Sequence, residues 1–362
     1  MEKKIGVGVI GATGMVGQNY LRLLSRHPWF EVVFLAASPH SAGKTYAEAV
    51  AGRWHMNEPI PPAYRDIVVE DASHVSKAVG KCRLVFSAVE MDKKAIMALE
   101  EDYAARGFAV VSNNSAHRHT EDVPVMVPEI NHSHLDIIPQ QRRQRGWQEG
   151  LLVVKPNCSI QSYMLPLYAL LQAGYRIDAM IVTNLQAVSG AGYPGPASLD
   201  MIDNVIPYIP GEEEKSEVEP AKILGRIEGG RVIPDASLKI SAHCNRVAVS
   251  DGHTACCSIK FAGKKPSAEE IIQIWRDFSS LPQELKLPSA PVPPIIYRDE
   301  PDRPQPHQDR DAGNGMAVTV GRLRPCHVFD YRFVGLHHNT VRGAAGGSIL
   351  TAELLVAKGF VK

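Results

Sequence analysis

The stretch Lys155-Pro156-Asn157-Cys158-Ser159-Ile160-Gln161-Ser162 carries the residue best suited to form a covalent bond. The apolar run Leu151–Val154 leads in as a strand, and Tyr163, Leu165, Leu167, Leu170 and Leu171 lead away as a helix. Pro156 keeps the residue before it extended. Cys158 therefore falls where a strand ends and a helix begins. Free N–H groups at a helix start favour thiolate over thiol, which predicts an ionised nucleophile. The same groups can hold an oxyanion when sulfur attacks a carbonyl. An isolated cysteine is more often inert core, but the flanking Pro-Asn and Ser-Ile-Gln-Ser set this one apart. Among fourteen histidines, His253 is the best candidate base, because imidazole titrates near neutrality. It stands past the Asp251-Gly252 turn, and Arg246 opens one of the two strands that this turn region links, so both can converge at one rim.

Elements must bring these groups together. Ile5, Val7, Val9 and Ile10 form a first strand, followed by Gly11-Ala12-Thr13-Gly14-Met15-Val16-Gly17 and a helical pattern through Leu21 and Leu24. This G-x-x-G-x-x-G between strand and helix is a variant of the dinucleotide fingerprint. Gly11 permits the tight turn, Gly14 lets backbone approach a pyrophosphate, and Gly17 lets the helix pack on the sheet. The second strand, 31–37, lacks the terminal acid that holds ribose hydroxyls in NAD enzymes. It runs instead into Ser38, Ser41 and Lys44, which suit the 2′-phosphate of NADP. Strands at 67–70, 84–89 and 109–111 alternate with helical patterns, which implies a mostly parallel sheet covered on both faces. Ligands gather at the carboxyl ends of such strands, where Ser87 and the loop 113–118 lie.

The character changes after Cys158. A strand over 180–188 ends in Gln186-Ala187-Val188-Ser189-Gly190-Ala191-Gly192, glycine-dense enough for close ligand approach. Glu219 and Lys222 share a helix face; on spacing alone they read as a solvated ion pair. The polar segment 139–150 reads as a surface loop, 281–314 as a long loop or interface arm, and Cys256-Cys257 as core. Runs at 317–323 and 328–336 alternate like antiparallel strands, and 337–343 opens a last helix. The chain of 362 residues suggests two domains. Its formal net charge of +0 argues against a general nucleic-acid binder. No apolar run is long enough to span a membrane, and no signal peptide is evident, so a cytoplasmic protein is expected. The six cysteines show no Cys-x-x-Cys spacing, and no histidine pair has an acid or cysteine at ligand spacing, so no metal site is expected.

With these residues collected, the chain resembles the aspartate-semialdehyde dehydrogenase family, in its archaeal and fungal branch, over nearly its whole length. The segments that carry the resemblance are 11–17, 112–118, 155–162, 186–192, 219–224, 245–254 and 339–347. It implies a doubly wound α/β Rossmann domain over 1–155, completed by a C-terminal helix at 341–362. An α+β catalytic and dimerisation domain is implied over 156–340. Cys158 is implied as the acyl-forming nucleophile, His253 as acid/base, and Gln186 as the group positioning His253 or substrate. Arg246 is implied as the carboxylate clamp, Glu219 as the partner of the amino group, and Arg118 and Lys222 as phosphate ligands, with Asn157 beside them. Gly11, Thr13, Gly14, Met15, Val16, Ser38, Ser41, Ser87, Ser189, Gly190 and Asn339 are implied as NADP contacts. The implied reaction is reductive dephosphorylation of L-4-aspartyl phosphate through a cysteine thioester, in a homodimer or homotetramer. Malonyl-CoA reductases share the chemistry and fold, and a regulator that binds NADP without turnover is a further alternative. N-acetyl-γ-glutamyl-phosphate reductases fit less well, because their cysteine usually follows Gly and precedes Tyr.

Overall fold

The computed structural model describes residues 4–362. Six strands, β1 (Ile5–Ile10), β2 (Phe30–Ala37), β3 (Val69–Asp71), β4 (Leu84–Ser87), β5 (Ala109–Ser112) and β6 (Leu151–Val154), make one sheet. Their order is β3-β2-β1-β4-β5-β6, and every pairing is parallel. The short runs in β4, β5 and β6 are apolar nearly throughout and wholly buried, as strands covered on both faces must be. This order places the carboxyl ends of β1 and β4 side by side, the usual crevice for a dinucleotide.

The second sheet is mixed. It contains β7 (Ile177–Gln186), β10 (Lys239–Arg246), β11 (His253–Phe261), β12 (Ile295–Arg298), β13 (Val318–Pro325) and β14 (Tyr331–His337), ordered β10-β7-β11-β14-β13-β12. A separate hairpin joins β8 (Arg226–Glu228) to β9 (Arg231–Ile233). Burial alternates along β7 and β10, so one face is packed and the other open. Helices Gln161–Gln172 and Ala268–Asp277 cover the packed face and join where Trp275 Nε1 donates to the Pro166 carbonyl at 2.9 Å. The helix Gly346–Ala357 returns to the first sheet. Its Ile349, Leu350, Leu354 and Leu355 share a core with Val7, Val9 and Leu84.

Several expectations need correction. The segment 139–150 is not a loop: Ile138–Arg145 is a helix closed by Gly146 in a left-handed conformation. Its sequence hides this because Gln141 is the buried contact. The Gln141 side chain bonds the backbone of Leu152 as a neighbouring strand would. The region 281–314 contains β12, which extends the second sheet, and two one-turn helices. Arg246 ends a strand rather than opening one. Cys257 is buried but Cys256 points outward, as strand alternation requires. The last helix begins at Gly346, after an irregular turn over Val341–Ala345.

Candidate active site

Only residues 155–160 separate β6 from the helix beneath the second sheet, so Cys158 sits on the seam between the two halves. Its Sγ lies 3.4 Å from Nε2 of His253, the first residue of β11. Nδ1 of His253 accepts the backbone N–H of Ala187 at 3.0 Å. The Ala187 carbonyl in turn accepts Nη1 of Arg246 at 2.7 Å. One residue at the end of β7 thus orients both the imidazole and the guanidinium. Gln186 does not itself touch the imidazole in these contacts. Its side chain donates instead to Glu212 at 3.1 Å.

Glu212 opens the helix Glu212–Ile223 and organises one wall. Its carboxylate accepts Nδ2 of Asn157 at 2.9 and 3.0 Å and pairs with Lys215 at 2.8 Å. Two turns on, Glu219 lies almost fully buried. One oxygen accepts Arg118 Nη1 at 2.9 Å and the other accepts the Asn157 backbone N–H at 2.6 Å. Each oxygen thus accepts one bond from protein. Lys222 donates to the carbonyls of Arg118 and Thr120 at 2.8 and 2.6 Å, so it braces the loop that carries Arg118. The carboxylate that lines the cleft is Glu212. Arg118, Lys155, Asn157, Cys158 and Lys215 line it too.

The electrostatics differ from the expected standing thiolate. Burial raises the Cys158 thiol above its ordinary range, Glu212 adds to this, and Lys155, Arg118 and Arg246 oppose it. His253 is pulled down to about 3 by burial and then by Arg246, Lys155 and His338. Lys155, wholly buried beside the sulfur, is lowered to about 7, chiefly by desolvation. Burial thus favours the neutral thiol and neutral imidazole over their charged forms, although Cys158 itself is only half-buried and lines the cleft.

The same cleft continues to Met15, Val16 and Asn19 on one side and to Ser189, Gly190 and Asn339 on the other. The helix Met15–Leu24 starts at Gly14 with no side-chain cap and no acid in its first turn, so its N–H groups are free for an anion. A Cβ on Gly14 would meet only the Gly11 carbonyl, at 3.7 Å, leaving a cradle above the turn. Gly11 itself has φ +83°, which L-residues rarely adopt. Asn339 donates to Ser189 Oγ at 2.8 Å and accepts Gly252 N–H at 2.8 Å, tying three loops at the rim. Ser87 is buried and accepts Asn114 Nδ2 at 3.2 Å. Ser38 is exposed, Thr13 half-buried, and Ser41 is buried against Arg53. These residues fit a dinucleotide.

Residues 6–138 match the family model for the semialdehyde dehydrogenase NAD binding domain, and 167–342 match the semialdehyde dehydrogenase dimerisation domain. The chain is 44% identical over 364 residues to the aspartate-semialdehyde dehydrogenase of Cryptococcus neoformans, covering 99% of each. It is 46% identical over 355 residues to that of Archaeoglobus fulgidus, covering 98% of each. The chain belongs to the aspartate-semialdehyde dehydrogenase family. The aspartate-semialdehyde dehydrogenase of Candida albicans, whose crystal structure contains NADP, matches it with a TM-score of 0.89 at 40% identity. That match covers 99% of this chain and 100% of the other. In this family member, sequence reasoning missed Glu212 and Lys215, which look like part of a solvated charge run. The available signal was phase. Glu212, Ser216 and Glu219 fall on one helix face, and Ser216 and Glu219 are buried. Lys155 was also missed as a charge, although it belongs to the nucleophile stretch. Among the described residues no cluster of three His, Cys, Asp or Glu side chains stands ready for a metal.

Proposed function

We propose that this chain reduces L-4-aspartyl phosphate to L-aspartate 4-semialdehyde with release of phosphate, through a thioester on Cys158. The single observation that carries this reading is Cys158 Sγ at 3.4 Å from His253 Nε2, on the seam between the dinucleotide cradle and the polar wall. Once ionised, sulfur attacks the acyl carbon and displaces phosphate; a thiolate both attacks and leaves well. Arg118, aimed by Glu219, stabilises the leaving phosphate, and Arg246 grips the substrate carboxylate with a planar guanidinium. Glu219 partners the substrate ammonium and Lys222 the phosphate, with Glu212, which lines the cleft, as a second carboxylate near the ammonium. Nε2–H of His253 hydrogen-bonds the oxyanion as the carbonyl becomes tetrahedral. Gly11–Gly17 would hold NADPH, which would supply a hydride to the thioester carbonyl; the C–S bond then breaks, giving the aldehyde and returning sulfur as thiolate. Ser38, Ser41 and the neighbouring Arg53 make the 2′-phosphate end of that site. The open face of the second sheet belongs to a homodimer or homotetramer, and the enzyme works in the cytoplasm.

The deciding assay is phosphate-dependent reduction of NADP by aspartate semialdehyde, with Cys158→Ser and His253→Asn as controls. Retention of most activity by Cys158→Ser would overturn the thioester. Malonyl-CoA as the acyl donor in the same cuvette, run in the reductive direction, separates the thioester-reductase alternative. NADPH binding without turnover on either substrate would mark a regulator.

A further inference from the structure

The loop that carries Arg118 is held at its start by a side chain from beneath the first sheet. Glu100, on the helix Lys93–Ala105, is fully buried. Its Oε1 accepts Ser112 Oγ at 2.6 Å and Asn114 Nδ2 at 2.9 Å. Ser112 Oγ in turn accepts the Asn114 backbone N–H at 3.0 Å. Asn114 Nδ2 also donates to Ser87 Oγ at 3.2 Å. A carboxylate oxygen accepts and cannot donate, so the Asn114 amide can stand only one way round. Both of its N–H bonds are taken up by protein, one by Glu100 and one by Ser87. Its other edge is Oδ1, to which nothing donates among the described residues. Asn114 is half-buried and lines the cleft together with Met15, Val16 and Cys158. A buried helix residue thus leaves the cleft with an acceptor of fixed orientation.

The strand order shows which part of the cofactor passes this acceptor. The phosphate turn follows β1 and Cys158 follows β6, with β4 and β5 between them. Ser87 at the end of β4 is in register with Ile10 on one side and Ser112 on the other. A dinucleotide anchored by its pyrophosphate at Gly11–Gly17 must therefore lay its nicotinamide half across the ends of β4 and β5 to reach an acyl group on Cys158. That half carries hydrogen-bond donors, the ribose hydroxyls and the carboxamide nitrogen.

We propose that Asn114 binds the nicotinamide half of NADPH through its Oδ1, which accepts an O–H or N–H from that half, and that Glu100 is the positioning residue that fixes the amide. Glu100 itself never meets the cofactor. The assignment rests on the thioester reading for the direction in which the cofactor lies, but its test is equilibrium binding and needs no turnover.

The test is fluorescence titration of the whole chain with NADPH, and displacement of NADPH by 2′,5′-ADP, which lacks the nicotinamide half altogether. Asn114→Ala should weaken NADPH by roughly three- to tenfold, the worth of one hydrogen bond, and leave 2′,5′-ADP at its wild-type affinity. Glu100→Leu frees the amide to turn and should do the same. Glu100→Gln keeps an acceptor oxygen for Ser112 and Asn114 and should bind NADPH like wild type. Should Glu100→Leu fail to fold, Asn114→Ala still decides, because Glu100 then keeps its bond from Ser112. Unchanged NADPH affinity in Asn114→Ala, or an equal fall for 2′,5′-ADP, would overturn the assignment. Glu100→Gln binding as weakly as Asn114→Ala would remove Glu100 from it. 2′-Phospho-ADP-ribose, which has the second ribose but no nicotinamide, separates the two donors. A matching fall in its affinity names the hydroxyls, and wild-type affinity names the carboxamide. Failure to turn over aspartate semialdehyde would leave these binding results standing, so the two conclusions fail separately.

Discussion

Arg118 and Glu219 form a buried ion pair at 2.9 Å, and the second oxygen of the same carboxylate holds the backbone N–H one residue before the nucleophile. Cation and sulfur are thereby fixed relative to each other by one side chain. Glu219→Ala should lower unfolding stability by about 3 kcal/mol, the usual cost of stranding one partner of a buried pair. It should also raise the KM for phosphate more than that for aspartate semialdehyde. Denaturant titration and steady-state kinetics check both parts.

Glu212 raises the Cys158 thiol, and Glu212 is itself kept ionised against burial by Lys215, Gln186 and Asn157. Removing its charge should therefore let Cys158 ionise at lower pH. Glu212→Gln should show faster thiol alkylation at pH 7 than wild type. Its KM for aspartate semialdehyde should rise about tenfold through loss of an ammonium partner, a change of about 1.4 kcal/mol. Faster alkylation with an unchanged KM would confine Glu212 to the electrostatics of the sulfur.

Lys155 is lowered to about 7 by burial, whereas the unfolded chain holds its proton to about 10.5. Between those values the unfolded state binds more protons, so stability rises with pH. Relative to Lys155→Met, the wild type should gain roughly 1.4 kcal/mol per pH unit across that window. Parallel denaturation curves of the two proteins from pH 7 to 10 give the slope. Equal slopes would show that Lys155 keeps its charge in the folded protein.

The glycines of the first turn should separate by function. A Cβ on Gly17 would fall 2.2 Å from the Gly11 carbonyl, so Gly17→Ala must push helix from strand. It should lose about 1–3 kcal/mol of stability, as overpacked sites do. Gly14→Ala meets no such obstacle. It should melt like wild type yet bind NADPH at least tenfold more weakly. Calorimetry for folding and fluorescence titration for the cofactor distinguish the two.

The parallel sheet was readable because its strands are short apolar runs alternating with helical patterns, whereas the strand order was not read from the sequence. Cys158 stands out in the sequence by its flanks, whereas His253 stands out from the other histidines only through the family resemblance. The geometry between them was not readable. The contact that orients His253 is the backbone of Ala187, and a backbone N–H leaves no mark in residue type. On spacing alone Glu219 and Lys222 read as a solvated ion pair, but both are buried and hydrogen-bond protein. Identity and spacing place a charge on a face, but only packing shows whether a carbonyl reaches it first. The helix over Ile138–Arg145 was hidden because a glutamine does the work usually given to an apolar residue.

The core beneath β1 is finished by residues 346–357, from the opposite end of the chain. During synthesis, the six-stranded half emerges first yet lacks the layer that seals one of its faces. It must wait, partly unsealed, until the whole intervening module has left the ribosome. A truncation before residue 346 should therefore cripple the nucleotide half, not the half from which it was cut. Nascent chains stalled at that length should be captured by chaperones through the hydrophobic surface around Val7, Val9 and Leu84.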